Sequence, residues 1–291
     1  MKKVGIDIGG TQLRCAIFDE DNQILVKHKI PNNPNLSARE NLDLLIDFIQ
    51  SQPYQYEGIG IGCPGPLNIR LGKILNPPNL KGWNNFEIVS YVESKTGLKT
   101  FLNNDANVAG LAEAVLGGGK GYESVFYITI STGIGGGYIH QGKIINGANS
   151  AGAEIYNLIV NEDKHTHNGV NQGAINEQCS GTGLNMISKE IFAKDISPKE
   201  LFDLYYKNDE KAVKIIKNAI TAMAKAVANI ACVVDPHVFV FGGSIAIYNP
   251  SFIEEIFNEA KKYTINPQFL YFIPAKFGDD AGLIGAALLV S

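Results

Sequence analysis

Two glycine-rich turns, each set between strand-forming runs, carry most of the chemistry legible in this chain. The first follows the apolar run Val4-Gly5-Ile6-Asp7-Ile8 and reads Gly9-Gly10-Thr11 before strand propensity resumes at Leu13. The second reads Ser131-Thr132-Gly133-Ile134-Gly135-Gly136-Gly137 after Tyr127-Ile128-Thr129-Ile130. Turns without side chains let backbone N–H groups approach an anion closely, and Thr11 and Thr132 add hydroxyl donors. A third glycine turn, Gly242-Gly243, ends the apolar run from Val238 to Phe241. Two carboxylates complete the set: Asp7, at a strand end beside the first turn, and Asp105, where a strand stops and a helix starts. The spacing Val108, Ala109, Ala112, Leu116 gives that helix its apolar stripe, with Asn104 or Asp105 as its cap. A carboxylate there is expected to be held in place and kept ionised by the helix dipole, with its basicity lowered accordingly.

The elements that must position these groups follow from periodicity. Residues 23–30 read as a third antiparallel strand, and 36–50 as a helix whose Leu42, Leu45, Ile46 and Ile49 share a face. Tyr56–Cys63 reads as a buried strand running into the rigid Pro64-Gly65-Pro66 loop, and 76–83 as a loop ending in the only tryptophan. Helices are expected over 87–96, 184–193, 198–206, 210–234, 251–263 and 280–289, with short strands over 98–102 and 270–273. Glycines 117–119 divide the chain into 1–117, joined by the last helix 280–291, and 118–279. Each part opens on strand, glycine turn and strand, as an internal duplication would.

Composition narrows the class. The 291 residues are 45% apolar and 19% charged with net charge −4, a globular profile that argues against nucleic acid as the main partner. The longest apolar stretch, 220–234, is interrupted by Lys225 and Asn229, so no membrane span is expected. Lys2 and Lys3 run straight into a strand, which leaves no room for a leader and implies the cytoplasm. Cys15, Cys63, Cys179 and Cys232 show no paired spacing and are expected to be reduced. No Gly-Lys-Thr or Gly-Lys-Ser completes a P-loop, and no Gly-x-Gly-x-x-Gly turn opens a helix after strand one.

The first two turns, taken with six further motifs, resemble the ROK family of sugar kinases and repressors, within the actin-like ATPase superfamily. The carrying residues are Asp7-Ile8-Gly9-Gly10-Thr11, Cys63-Pro64-Gly65-Pro66, Asn79-Leu80-Lys81-Gly82-Trp83 and Asn103-Asn104-Asp105-Ala106-Asn107. Thr132 to Gly137, Gly147 to Ile155, Phe241-Gly242-Gly243 and Asp280 to Ala287 complete them. The resemblance implies an α/β, actin-like or ribonuclease H-like two-domain fold with mixed sheets and a central cleft. It implies transfer of phosphate from ATP to a hexose or hexosamine, in a homodimer, with Asp105 as the base that takes the hydroxyl proton.

Further roles follow from it residue by residue. Gly9, Gly10, Thr11, Thr132, Gly133, Ile134 and Gly135 would hold phosphates, Gly242 and Gly243 would pack on adenosine, and Asp7 would position hydrated Mg²⁺. Gly65, Asn79, Asn104, Asp105 and Glu154 would hold the sugar. Two departures stand out. Asn157 replaces a His that ligates structural zinc and helps hold the sugar, and residues 168–175 replace the cysteine loop, so no zinc is expected. A second sugar-binding Glu falls in register on Asn176, with Glu177 one place on and taken here as the candidate. The zinc-less pattern looks like the divergent bacterial N-acetylmannosamine kinases. Glucose, N-acetylglucosamine and fructose remain alternatives. A repressor lacks support, because no DNA-binding helices precede the first strand, and a non-catalytic sugar sensor would have no use for Asp105 and both loops.

Overall fold

A computed structural model describes residues 1–166 and 169–290. The chain forms two compact units. The first comprises Met1–Leu116, Gly137–Gly152 and the segment from Asp279 onward; the second comprises Gly117–Gly136 and Ala153–Gly278. The sequence-based division at 117, with the last helix joined to the first part, assigns residues 137–152 to the second part. Instead they belong with the first unit.

The first unit is built on β1 (Lys2–Ile8), β2 (Gln12–Phe18), β3 (Ile24–Pro31), β4 (Tyr56–Cys63) and, after the small ribbon β5 (Leu67–Asn68) and β6 (Lys73–Ile74), β7 (Thr100–Asn104). The sheet order is β3-β2-β1-β4-β7, antiparallel across the first three strands and parallel from β1 through β4 to β7. Helix α1 (Ala38–Ser51) starts in a capping box between Ser37 and Glu40, and it buries Leu42, Leu45, Ile46 and Ile49 as its periodicity requires. Those side chains join Val4, Ile6, Ile59, Ile61 and the fully buried Trp83 in one core. Helix α2 (Ile88–Thr96) ends on Gly97 in the left-handed conformation, and α3 (Asp105–Val115) leaves the end of β7.

The second unit repeats the plan. Strand β8 (Ser124–Ile130) leads through the second glycine turn into β9 (Ile134–His140), which continues into the 137–152 segment and pairs there with β10 (Lys143–Ile144). On its other side β8 pairs in parallel with β11 (Val238–Gly242), and β11 with β12 (Phe272–Pro274). Between lie α4 (Ile175–Cys179), α5 (Gly181–Phe192), α6 (Pro198–Tyr206) and α7 (Glu210–Val234); α8 (Ser244–Tyr248) and α9 (Pro250–Ala260) follow β11. Contrary to the sequence-based expectation, α7 is long and apolar enough to cross a membrane, but 61% of its most apolar window is buried, as in a core helix.

The last helix, α10 (Ala281–Ala287), closes the first unit. Its backbone lies on the sheet with nothing in between: a Cβ built on Gly60 of β4 would stand 1.7 Å from the Ala286 carbonyl oxygen. On its other face a Cβ on Gly285 would stand 1.7 Å from the Val108 carbonyl oxygen of α3. Any side chain at either position forces the layers apart. Gly60→Ala is therefore expected to lower unfolding stability by about 2–3 kcal/mol, read as a fall in the urea midpoint at unchanged slope.

Candidate functional site

In the first unit the parallel register sets the site. Asp7 of β1 is opposite Gly62 of β4, and Cys63 of β4 is opposite Asn104 of β7. Asp7, the 64–66 loop with Gly65, and Asn104-Asp105 thus leave the same carboxyl edge of three neighbouring strands, where α/β sheets bind their ligands. The first glycine turn leaves that edge too. It is closed by Gly9 N–H donating to the Gln12 carbonyl at 2.9 Å, and Asn32 beyond β3 braces it, its side-chain amide donating to the Gly9 carbonyl at 3.0 Å. Gly10 and Thr11 are exposed, their polar groups available to an anion.

Asp105 is the first residue of α3, and the cap is Asn104, whose Oδ1 accepts from the N–H groups of Ala106 at 2.9 Å and Asn107 at 3.3 Å. The cap role left open between the two residues thus falls to Asn104. One buried turn back, Asn103 Oδ1 accepts from Asn104 N–H at 2.9 Å and from the Asn107 amide at 3.1 Å, locking strand end to helix start. The Asp105 carboxyl accepts from Ala106 N–H at 2.8 Å.

Here the expectation of a lowered basicity is overturned. Burial pushes the Asp105 carboxyl up to about 6, the negative charge of Asp7 adds to this, and the Ala106 N–H offsets only part of it. Desolvation outweighs the helix dipole. The same two carboxylates, after burial itself, hold the Cys63 thiol well above its ordinary range.

Asp7 is not a free ligand. Its Oδ2 accepts from Arg14 Nε at 2.9 Å and from a second guanidinium nitrogen, Arg14 being its opposite number on β2. Its Oδ1 has no hydrogen-bond partner among the described residues. One open carboxylate oxygen suits an ion held mostly by phosphates and water, as Mg²⁺ is, rather than a protein cage. Among the described residues no group of three or more His, Cys, Asp or Glu could hold a metal. Of the sugar candidates in this unit, Asn104 is buried, and Asn79 is exposed on its loop.

In the second unit the glycine turn is strapped from α4 and α5. Gly181 N–H donates to the Ser131 carbonyl at 2.8 Å, and Thr182 N–H to the Thr132 carbonyl at 3.1 Å. Ile134 N–H donates to Asn176 Oδ1 at 3.0 Å. Thr132 and Gly133 remain exposed between these anchors. Asn176, on which the register of the second sugar-binding Glu falls, holds the turn through its Oδ1. Glu177 beside it is 2% exposed. Ser131 Oγ lies 3.2 Å from Ser244 Oγ, so the Gly242-Gly243 turn, with Gly243 at φ 84°, adjoins the phosphate turn. Just beyond, a cavity of about 570 Å³ is lined by Phe202, Tyr206, Ser244, Ile245 and Tyr248.

Glu154 precedes a short 3₁₀ turn, Ile155–Asn157. Asn157 Oδ1 accepts from Asn171 N–H at 2.7 Å, and the backbones of 158–160 and 173–175 are joined by Val160 N–H to Gly173 O at 2.8 Å and Ile175 N–H to Leu158 O at 3.0 Å. Hydrogen bonds tie the two segments where the resemblance places zinc. His165 is engaged on both ring nitrogens, by Asp163 at 2.5 Å and Glu190 at 2.7 Å; His167 and Asn168 lie outside the described residues.

The bracing roles of Arg14, Asn103 and Asn176 are absent from the sequence reading. Arg14 alone had a signal: in a tight hairpin the residue three beyond the turn faces Asp7.

Comparison with known proteins agrees over the whole chain. The pattern described as the ROK family matches residues 3–291. N-acetyl-D-glucosamine kinase of Histophilus somni is 30% identical over 98% of this chain and 97% of its own. N-acetylmannosamine kinase of Haemophilus influenzae is 27% identical over 100% and 95%. Among solved structures, the ROK hexokinase of Thermus thermophilus superposes with a TM-score of 0.91 at 32% identity, covering 99% of this chain and 97% of that one. A ROK family glucokinase of Streptomyces griseus in complex with glucose and AMPPNP gives 0.81 at 26%, covering 99% of each.

If Asp105 must be ionised to act, kcat/KM should climb with pH through about 6 and level off above. Asp105→Asn should abolish both the activity and that limb. Its stability contribution runs the other way. The fold keeps the proton after the unfolded chain has lost it, so stability falls as pH rises from 3.8 to about 6. Urea midpoints across that window should show the fall in the wild type and its absence in Asp105→Asn.

Proposed function

The chain belongs to the ROK family, and from that premise we propose that this ATP-dependent sugar kinase acts on N-acetylmannosamine, forming the 6-phosphate. The observation that carries the transfer reading is Asp105, a buried carboxyl with a raised pKa, fixed at a helix start on the carboxyl edge of the sheet. A group poised near 6 is a stronger base than an ordinary aspartate and is still ionised at neutral pH.

In the reaction the sugar hydroxyl oxygen forms a bond to the γ-phosphorus, and the bond from that phosphorus to the β,γ-bridging oxygen breaks. The electron pair leaves with ADP, and the hydroxyl proton passes to Asp105 and on to solvent. In the first unit's turn Gly10 and Thr11 are the phosphate donors, with Gly9 held by the Gln12 carbonyl; in the second unit's turn they are Thr132, Gly133 and Gly135, with Ile134 held by Asn176. Gly242 and Gly243 pack on adenosine, with the cavity lined by Phe202 and Tyr248 taking the base. Mg²⁺, when bound with the nucleotide, would supply charge neutralisation, and Asp7 is the residue that would hold it. Asn79, Gly65, Asn104, Glu154, Asn157 and Glu177 position the sugar.

The N-acetylmannosamine assignment rests on the hydrogen-bonded segment around Asn157 and Asn171, which does without the zinc loop. Glucose is the second reading, favoured by the likeness to the Streptomyces griseus glucokinase in complex with glucose.

An ADP-release assay with N-acetylmannosamine, N-acetylglucosamine, glucose and fructose is the test. N-acetylmannosamine should give the highest kcat/KM; a higher value for glucose removes the substrate assignment and leaves the kinase standing. Asp105→Ala should lower kcat by about 10²–10⁴. Metal analysis of the purified protein should find no stoichiometric zinc, and chelators should leave its melting temperature unchanged.

A further inference from the structure

One cation beside the first glycine turn has no ion-pair partner among the described residues. Lys81 lies on the 79–83 loop, and with Gly10, Thr11, Asn32 and Asn79 it lines a cavity of about 450 Å³. That loop is packed on the turn: the Asn79 carbonyl oxygen stands 3.0 Å from where a Cβ on Gly10 would be. Asn32, from the opposite wall, is the residue that braces Gly9. All five residues belong to the first unit, so the cavity is a feature of that unit alone.

The charges around it are unbalanced. Arg14 is taken by Asp7, and Lys27 is paired with Asp280 at 2.5 Å. Asp105 has no ion-pair partner among the described residues, and neither has Lys81. A phosphoryl group carried to this edge meets the carboxylates Asp7 and Asp105, and Arg14 is already paired. In partly excluded water the like charges repel strongly unless a positive charge offsets them. Lysine is suited to that task as a mobile point charge with three donors. Nothing in the fold needs Lys81 for packing, since it is exposed and unpaired.

We propose that Lys81 binds the phosphoryl group during its transfer and the phosphate of the product, acting beside Thr11 as a substrate-touching catalytic residue. The ammonium keeps its three protons throughout; it donates hydrogen bonds and moves no proton. The inference rests on the kinase reading above and adds a residue that the turn motifs do not include.

Two measurements on Lys81→Ala and Lys81→Arg test it: tripolyphosphate binding by calorimetry, and steady-state turnover. Lys81→Ala should weaken tripolyphosphate about tenfold and lower kcat/KM for ATP about 10–100-fold, the loss expected for a charged hydrogen bond. Sugar affinity without nucleotide should stay within twofold, and Lys81→Arg should recover most of both losses. Raising salt should narrow the gap between wild type and Lys81→Ala. If both quantities stay within twofold in Lys81→Ala while the wild type turns over, the proposal falls and the kinase stands. Loss of tripolyphosphate binding with turnover unchanged overturns it as well. If the wild type phosphorylates no sugar but Lys81→Ala still loses tripolyphosphate, the kinase reading falls and the phosphate site remains.

Discussion

A carboxyl group withdrawn from water needs a surrounding that holds it still without neutralising it, and Asp105 meets that demand in the first turn of α3. The cap is delegated to Asn104, which satisfies the orphan N–H groups of the helix start. Asn103 ties the strand end to the helix, so backbone strain is not needed to aim the carboxyl. Asp7, the one other carboxylate whose charge raises it, is itself balanced by Arg14. Had Asp105 served as its own cap, its oxygens would be engaged by the helix and its basicity spent there.

The two glycine turns show a common economy. Their tips must be bare for phosphate, so their positions are set from outside by neighbouring segments. In the first unit Asn32 reaches the Gly9 carbonyl. In the second, Asn176 takes Ile134 N–H and the start of α5 takes two carbonyls. These braces use polar atoms that the tips do not need.

Sequence alone made much of this visible, and where it stopped the reason is physical. Strand Tyr56–Cys63 and helices Pro198–Tyr206 and Glu210–Val234 fall where periodicity and caps put them, because their signals are local. Helix α5 begins three residues earlier than its apolar pattern, since Ser180 caps it and its first glycine is needed against Ser131. The pKa of Asp105 was misjudged because the helix dipole is a property of the chain, whereas desolvation depends on what packs around it. Asn176 and Arg14 do their work across strands or between helix and turn, and a motif does not print its braces. The short 3₁₀ turn at Ile155–Asn157 and the two-residue strands carry too few residues for any period to register.

The bare contact of α10 with Gly60 and Gly285 also bears on how the chain is made. During synthesis β1, β4 and α3 leave the ribosome more than a hundred and fifty residues, or about ten seconds at typical rates, before the helix that covers them. The glycine floor awaiting α10 is backbone whose only proper cover comes late. The first unit is thus the earlier to be translated and the later to be finished, while the second can consolidate from a nearly unbroken stretch.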